Sequence, residues 1–360
     1  MYFLSPIDGD VLMSVEDGFV KDEKLITTVQ IRSQENQRIL INDVLAKEQD
    51  GNYLAEISLS KRKNLITAKN LDSGESIEII VYWFKNAYKT YRLGVDDVIW
   101  CFENVYKNQD VYSSIFEDPF LNIFKRLHDK FGTFVHMHLF YQNEDGSFNL
   151  SMFPDKYKNE FKANSDWLKF TFHSKSEFPD SPYKNATYEQ VFSEGKQVEK
   201  EILRFAGKEV LSKITSQHWA DSNLKATRAF RDLGFPCIDA YFIFDDNGEP
   251  MVSYYLDKEQ VKHAQSRDFW VDNSEDIIFI KDDIIINEVP LDKIDSFMEG
   301  LSAKKGNCFH YLLIHEQYFY KDYFNYESDY EDRIIKTVEW CHKNGYKPST
   351  ISSIVFEKED

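Results

Sequence analysis

From about Lys85 to the end of the chain, strand-like runs alternate with helix-like runs, and this alternation constrains the fold more than any other feature. Such alternation is typical of a parallel sheet or an α/β barrel. The glycines at 132, 234 and 345 mark the predicted ends of three of the helices. The predicted strands span 92–100, 133–141, 168–173, 236–244, 277–280 and 309–315. The predicted helices span 120–131, 188–205, 224–233 and 329–344.

The first 86 residues have a different pattern, because short runs in which apolar and polar residues alternate follow one another with no helical stretch between them. Turn signals such as Asp50-Gly51-Asn52 separate the runs. Strands at this spacing predict an all-β sandwich, and the segment resembles bacterial immunoglobulin-like modules. The sequence therefore predicts two domains, a β-sandwich over 1–86 and an α/β barrel over 87–360. The runs span 25–31, 38–41, 53–59, 65–68 and 77–81.

The charge of the chain limits its partners. Acidic residues outnumber basic ones by 61 to 43, and the net charge of -18 argues against nucleic acid or an anionic membrane as a partner. The four cysteines form no CxxC pair, which favours buried free thiols. No signal peptide and no membrane-spanning run is visible, so the sequence predicts no membrane insertion and, by default, a cytoplasmic protein; a chain that has lost a leader would look the same.

Titratable side chains stand at the ends of three predicted strands. Asp96 and Asp97 follow the first of them, His173 ends the third, and His315 ends the last. In α/β barrels and parallel sheets, side chains at the carboxyl ends of strands line the active site. We therefore expect one metal-assisted site. Adjacent residues of a regular strand point to opposite faces, so both aspartates reach it only if the strand ends or bulges there.

Further candidates lie in the neighbouring loops. Glu177 follows His173 by four residues and could share a cation with it. Glu316 is predicted to orient His315 and to contact substrate, and His218, Trp219 and Trp270 are predicted substrate contacts in polar and aromatic patches.

His136 and His138 share one face of a strand, as in some zinc hydrolases. They lie in mid-strand, so a structural role is favoured for both. The sequence contains no GxGxxG, GxxxxGK, GxSxG or HExxH motif, which removes nucleotide-binding enzymes, α/β-hydrolases and zincin proteases from the leading candidates.

Together these motifs resemble the polysaccharide deacetylase superfamily from about residue 88 to the end of the chain. Val95-Asp96-Asp97 matches its first motif, and the resemblance implies that Asp96 is the catalytic base and Asp97 a metal ligand. His173-Ser174 matches the start of its second motif and implies a second ligand. Leu312 to His315 matches its last motif, and implies His315 as general acid and a distorted barrel as fold.

The chain departs from the family pattern at the third metal ligand. The second histidine of the His-Ser motif is missing, since Glu177 follows Ser176 and the proline arrives one place late at Pro179. Glu177 is therefore predicted as the third ligand. The Arg-x-Pro-aromatic motif, expected near residue 215, is replaced by Gln217-His218-Trp219.

The sequence thus predicts a hydrolase, dependent on a divalent metal such as zinc, that removes acetyl groups from sugars or oligosaccharides. Two alternatives stay open. One is a glycosidase on the same barrel, which needs carboxylates but no metal. The other is a non-catalytic carbohydrate-binding protein with a degenerate metal site. The oligomeric state stays open.

Overall fold

The computed structural model describes residues 1–356, a mixed α/β protein with several sheets and, within those residues, nine α-helices. The predicted mixed α/β class is confirmed. The division into domains at residue 86 stays a prediction.

Residues 1–86 contain strands and no α-helix. They form two five-stranded sheets, one in the order β1-β4-β8-β7 with β3 also paired to β4, and one in the order β2-β10-β9-β5-β6. All pairs are antiparallel except β2 with β10. The strands are β1 (Tyr2–Ser5), β2 (Val11–Leu12), β3 (Gly18–Lys21), β4 (Lys24–Arg32), β5 (Ile39–Ile41), β6 (Val44–Leu45), β7 (Lys47–Gln49), β8 (Asn52–Leu59), β9 (Lys63–Asn70) and β10 (Ser76–Trp83).

The remainder of the described chain alternates strands with helices, as the pattern predicts. The strands are β11 (Thr90–Val98), β12 (Val135–Phe140), β13 (Leu168–Ser174), β14 (Ile214–Ser216), β15 (Cys237–Ala240), β16 (Ile243–Phe244), β17 (Pro250–Met251), β18 (Phe269–Asp272), β19 (Ile277–Lys281), β20 (Ile284–Ile285), β21 (Phe309–His315) and β22 (Lys347–Pro348). The helices are α1 (Trp100–Lys107), α2 (Pro119–Phe131), α3 (Lys158–Ala163), α4 (Tyr188–Phe205), α5 (Leu224–Leu233), α6 (Lys258–Gln265), α7 (Ile294–Ser302), α8 (Tyr330–Lys343) and α9 (Ser352–Val355).

A six-stranded sheet at the centre of this part positions the site. Its order is β13-β12-β11-β21-β20, with β22 also on β11, and its pairs are all parallel. A four-stranded sheet has the order β14-β15-β19-β18, in which only β18 is antiparallel. Parallel pairing places the carboxyl ends of β11, β13 and β21 along one edge, so the residues that end these strands can meet.

Local sequence explains where the helices begin and end. The side chain of Thr187 accepts a hydrogen bond from the backbone N–H of Gln190 at the start of α4, as predicted. Gly132 and Gly234 adopt the left-handed conformation after α2 and α5. The buried faces of these helices pack on the sheet, where β11 is buried along nearly its whole length.

The two-sheet region is attached to the rest of the protein by a shared apolar core and by buried polar contacts. Val11, Tyr82 and Phe84 pack in one cluster with Phe269 and Phe309.

All four cysteines are buried and unpaired, as predicted. Among the residues that the structure describes, no helix is both long and apolar enough to cross a membrane.

Candidate metal centre

The predicted strand-end residues do meet at the carboxyl edge of the central sheet. Asp96 on β11 is the register partner of His315 on β21. His173, near the end of β13, lines the same cavity. The cavity has a volume of about 840 Å³. It is lined by carboxylates, histidines and aromatic side chains, among them Asp96, Asp97, Trp100, His173, Glu177, His218, Trp219, His315, Tyr318 and Tyr323.

A bulge lets both aspartates reach this cavity. The pairing of β11 with β12 shifts register between Val95 and Val98, and Asp97 has a φ of 63°. This left-handed conformation is uncommon for a residue with a side chain, although aspartate tolerates it better than most. It turns the carboxylate of Asp97 to the same side as that of Asp96. The strand therefore bulges at the two aspartates, which is the condition under which both carboxylates can reach one site.

Asp97, His173 and His218 form a triangle of potential ligand atoms, and we call these three residues the metal triad. Asp97 Oδ1 lies 3.0 Å from His173 Nε2 and 3.1 Å from His218 Nδ1, and the two histidine nitrogens are 3.3 Å apart. Zinc bonds of about 2.0–2.1 Å at tetrahedral angles place ligand atoms about 3.3 Å apart. The triangle therefore fits one face of a tetrahedral zinc site.

The outer nitrogens of both histidines are held by backbone carbonyls. His173 Nδ1 donates to the carbonyl of Ser216 at 2.6 Å, and His218 Nε2 donates to the carbonyl of Glu177 at 2.9 Å. Each bond fixes the tautomer of the neutral ring, in which the nitrogen facing Asp97 carries the lone pair. Two lone pairs and a carboxylate that converge in a buried site repel one another unless a proton or a cation lies between them.

The electrostatics of the metal triad agree with this geometry. Burial lowers the pKa of His173, but the carboxylates of Asp96 and Asp97 outweigh burial and raise it to about 9. Burial has the opposite effect on Asp97, whose pKa it raises. The neighbouring His218 and His173 outweigh burial, and the pKa of Asp97 lies well below its ordinary value. A buried carboxylate kept ionised beside two imidazoles is the environment that a divalent cation requires.

A second group, Asp96 with His138 and His173, is also close enough to hold a metal, but its hydrogen bonds argue against ligation. Arg92 Nη2 lies 3.0 Å from His138 Nε2, and a guanidinium only donates. His138 Nε2 is therefore an acceptor, and Nδ1 carries the proton, which it donates to Asp96 Oδ1. A protonated nitrogen cannot bind a metal, so the metal triad is the better site.

These contacts hold Asp96 as an oriented, ionised carboxylate. One oxygen accepts from His138, and the other accepts from Ser216 Oγ at 2.9 Å. Burial raises the pKa of Asp96, but His173, His138 and His315 outweigh it, and the net shift is downward. Sequence reasoning favoured a structural role for His138 away from the site, and missed its contact with Asp96.

His315 is held by the carbonyl oxygen of a buried amide. Asn287 Oδ1 accepts from the backbone N–H of His315 at 3.2 Å and from its Nδ1 at 3.0 Å. The other nitrogen, Nε2, is then the basic one. His315 is the register partner of Asp96 on the adjacent strand, and both residues line the cavity, so the predicted base and acid are neighbours in one site.

Three of the other predicted residues, His218, Trp219 and Glu177, line the cavity. His218 lies at the site, as a member of the metal triad instead of the predicted substrate contact. Trp219 is 47% exposed and lines the cavity, where it could contact substrate. The carboxylate of Glu177 accepts from Gln317 Nε2 at 2.8 Å instead of joining the metal triad. Burial and then Asp97 raise its pKa to about 7.

Glu316 and Trp270 are not among the residues that line the cavity. The carboxylate of Glu316 is fully buried and accepts from the backbone N–H groups of Ile99, Trp100 and Cys101 at 2.6–2.8 Å. It caps the first turn of α1, where the helix end favours a negative charge. Trp270 does not line the cavity: it stacks on Phe279 and donates from Nε1 to the carbonyl of Asp8 in the two-sheet region.

Comparison of the chain with protein-family models, with curated proteins and with solved structures found no match. The motif residues and the geometry of the site are therefore the basis for a proposed function.

Proposed function

We propose that this protein is a metal-dependent hydrolase that removes acetyl groups from sugars or oligosaccharides. We further propose that residues 87–360 form a distorted barrel of the polysaccharide deacetylase type and that residues 1–86 form an immunoglobulin-like sandwich. The observation that carries the proposal is the metal triad of Asp97, His173 and His218, with Asp96 and His315 lining the same cavity from neighbouring strands.

A third possible ligand is present, although it comes from a different part of the chain than the family motif predicts. The family motif that should supply the second histidine is broken at Glu177, and the structure brings His218 to the metal triad from the end of β14. The donor set is two imidazoles and one carboxylate, which suits zinc with an open fourth position. The site therefore has a complete set of protein ligands in spite of the broken motif.

The residues around the metal triad have separate roles in the proposed reaction. A bound metal would act as a Lewis acid that lowers the pKa of a water molecule and polarises the acyl carbonyl. Asp96, held by His138 and Ser216, takes the proton of the attacking water. His315 acts as general acid in its imidazolium form: Nδ1–H stays bonded to Asn287, and the proton on Nε2 passes to the leaving nitrogen or oxygen, which leaves a neutral imidazole. Trp219 and the other cavity aromatics offer faces for a sugar ring.

The test measures metal content and acetate release on the same preparations. We expect about one zinc per chain in the full-length protein, and acetate release from N-acetylglucosamine oligomers that a chelator abolishes. Asp97→Ala and His218→Ala should lose both, whereas His342→Ala, a change at an exposed histidine outside the cavity, should keep both.

Two results would contradict the proposal. Shortened oligomers without acetate release would favour the glycosidase alternative. Oligomer binding with neither metal nor turnover would favour a carbohydrate-binding protein.

A further inference from the structure

Two buried polar side chains beside the metal triad lack hydrogen-bond partners among the described residues. Neither the amide oxygen nor the amide nitrogen of Gln217 is bonded, although the residue is 1% exposed. Oδ1 of Asp282, which is 5% exposed, is unbonded too. Leaving such a group unpaired in a buried position is destabilising. Both residues line the cavity that contains the metal triad, so a ligand in that cavity could supply the missing partners.

The charges around the cavity restrict what that ligand can be. Eight acidic residues line it, and none of the described lining residues is a lysine or an arginine. Four of the eight, Glu144, Asp180, Glu288 and Asp322, are exposed at the cavity wall. A cleft lined by one sign of charge concentrates ligands of the opposite sign. The cavity therefore selects against anionic groups and for cationic ones.

Asp282 lies close to other buried carboxylates, and one of its oxygens has no donor among the described residues. Burial and the nearby carboxylates of Asp239 and Asp96 raise its pKa well above the ordinary value, and Arg92 only partly offsets them. The guanidinium of Arg92 is already bonded to His138 and Asp239. An ammonium group beside Asp282 would relieve this repulsion and would also give Oδ1 a donor.

We propose that Gln217 and Asp282 form a subsite for an ammonium group of the substrate, so that the acylated molecule also carries a free amine. The aromatic side chains of Trp100, Trp219 and Tyr323 line the same cavity and favour a sugar ring as the carrier of that amine. The substrate class is then a partly N-acetylated amino-sugar oligomer. The acyl part of this inference rests on the proposed function, whereas the ammonium subsite does not.

Binding to the full-length protein tests the subsite without turnover. Calorimetry on the protein with zinc removed, so that the acetylated tetramer is not hydrolysed, would compare a glucosamine tetramer, an N-acetylglucosamine tetramer, a galacturonic acid tetramer and spermidine. Because a charged hydrogen bond is gained, we expect the glucosamine tetramer to bind about tenfold more tightly than its acetylated counterpart. The anionic tetramer should not bind.

Variants locate the binding. Asp282→Asn and Gln217→Leu should each weaken glucosamine binding about fivefold or more, with zinc content and melting temperature unchanged. Glu288→Gln, at an exposed position, should weaken it at low salt, and Asp292→Asn, at an exposed position outside the cavity, should not.

Equal or tighter binding of the acetylated tetramer, or unchanged binding to Asp282→Asn, would overturn the subsite. Tighter binding of spermidine than of the glucosamine tetramer would keep the ammonium group and overturn the sugar. If the protein binds the glucosamine tetramer as expected but releases no acetate, the proposed function fails and the subsite stands.

Discussion

At the residue scale, the two adjacent aspartates differ in role because their partners differ. The bulge in β11 turns Asp97 towards His173 and His218, whereas Asp96 is held by His138 and Ser216. The sequence could predict that both carboxylates belong to one site, since they end a buried strand. It could not predict their partners, because those lie 42 or more residues away in the chain and are brought close only by the parallel sheets.

The third metal ligand is the residue at which structure and sequence reasoning disagree most clearly. Because His218 Nδ1 faces Asp97 while the Glu177 carboxylate bonds Gln317, we expect His218→Ala to lose zinc and Glu177→Gln to keep it. Removing a residue that only hydrogen-bonds a metal ligand weakens metal binding by about 10–100-fold. Removing one of three protein ligands should therefore weaken zinc binding by about 100-fold or more. Competition with a coloured chelator measures this. Zinc loss in Glu177→Gln with retention in His218→Ala would reverse the assignment.

The role of His138 as a positioning residue gives a second prediction. His138→Ala leaves the proton-accepting carboxylate of Asp96 without one of its two donors, so kcat for acetate release should fall about 100-fold, within the range for general acid–base effects. KM and zinc content should hardly change, because His138 does not line the cavity and its hydrogen bonds go to Arg92 and Asp96 instead of the metal triad.

His136→Leu is the matched control for His138→Ala, since His136 is buried on the same strand and both of its ring nitrogens lack partners among the described residues. We expect it to keep full activity and equal or greater stability. A comparable loss in both variants would trace the effect to disruption of β12 instead of the contact with Asp96.

At the scale of elements, most strands and helices were predictable because their signals are local. Helices α4 and α5 begin and end at the predicted residues, since a capping side chain or a glycine marks their ends. Short strands such as β18 and β20 were not predicted. The predicted strand over 236–244 is divided into β15 and β16, because Phe242 adopts a φ of 49°. Two to four extended residues carry too little periodicity to be recognised.

The start of α1 shows how one element supports the site through structure alone. Glu316 accepts three backbone N–H groups there, so Glu316→Gln removes the charge and replaces one acceptor with a donor. We expect a loss of about 1–3 kcal/mol in the free energy of unfolding, measured by urea denaturation. KM should be unchanged in the folded protein, and a KM effect without a stability effect would restore the predicted substrate contact. Glu103→Gln, at the edge of the same helix, is the control.

At the scale of the whole molecule, the two-sheet region and the α/β region share buried polar contacts as well as an apolar core. Arg267 lies in the loop between α6 and β18, where it pairs with Asp17 at 2.7 Å and with Asp10 at 3.5 Å. Trp270 and Asn273 bond Asp8 from the same segment. The sequence showed Trp270 in a polar and aromatic patch, and such patches occur at internal interfaces as well as at substrate sites. That ambiguity explains why the sequence predicts a substrate contact at Trp270, whereas the structure places it against the two-sheet region.

This attachment predicts that the two regions unfold together. Arg267 is largely buried, so Arg267→Ala leaves the carboxylates of Asp10 and Asp17 without their cation, at a cost of about 3 kcal/mol. We expect calorimetry to show one transition for the unchanged protein, and an earlier, separate transition for Arg267→Ala. Zinc content and acetate release at low temperature should be retained, since the metal triad lies on other strands. Arg38→Ala, which breaks an exposed pair within the two-sheet region, should leave a single transition. Two transitions in the unchanged protein would mean that the regions are already independent, and that the buried contacts between them contribute little to stability.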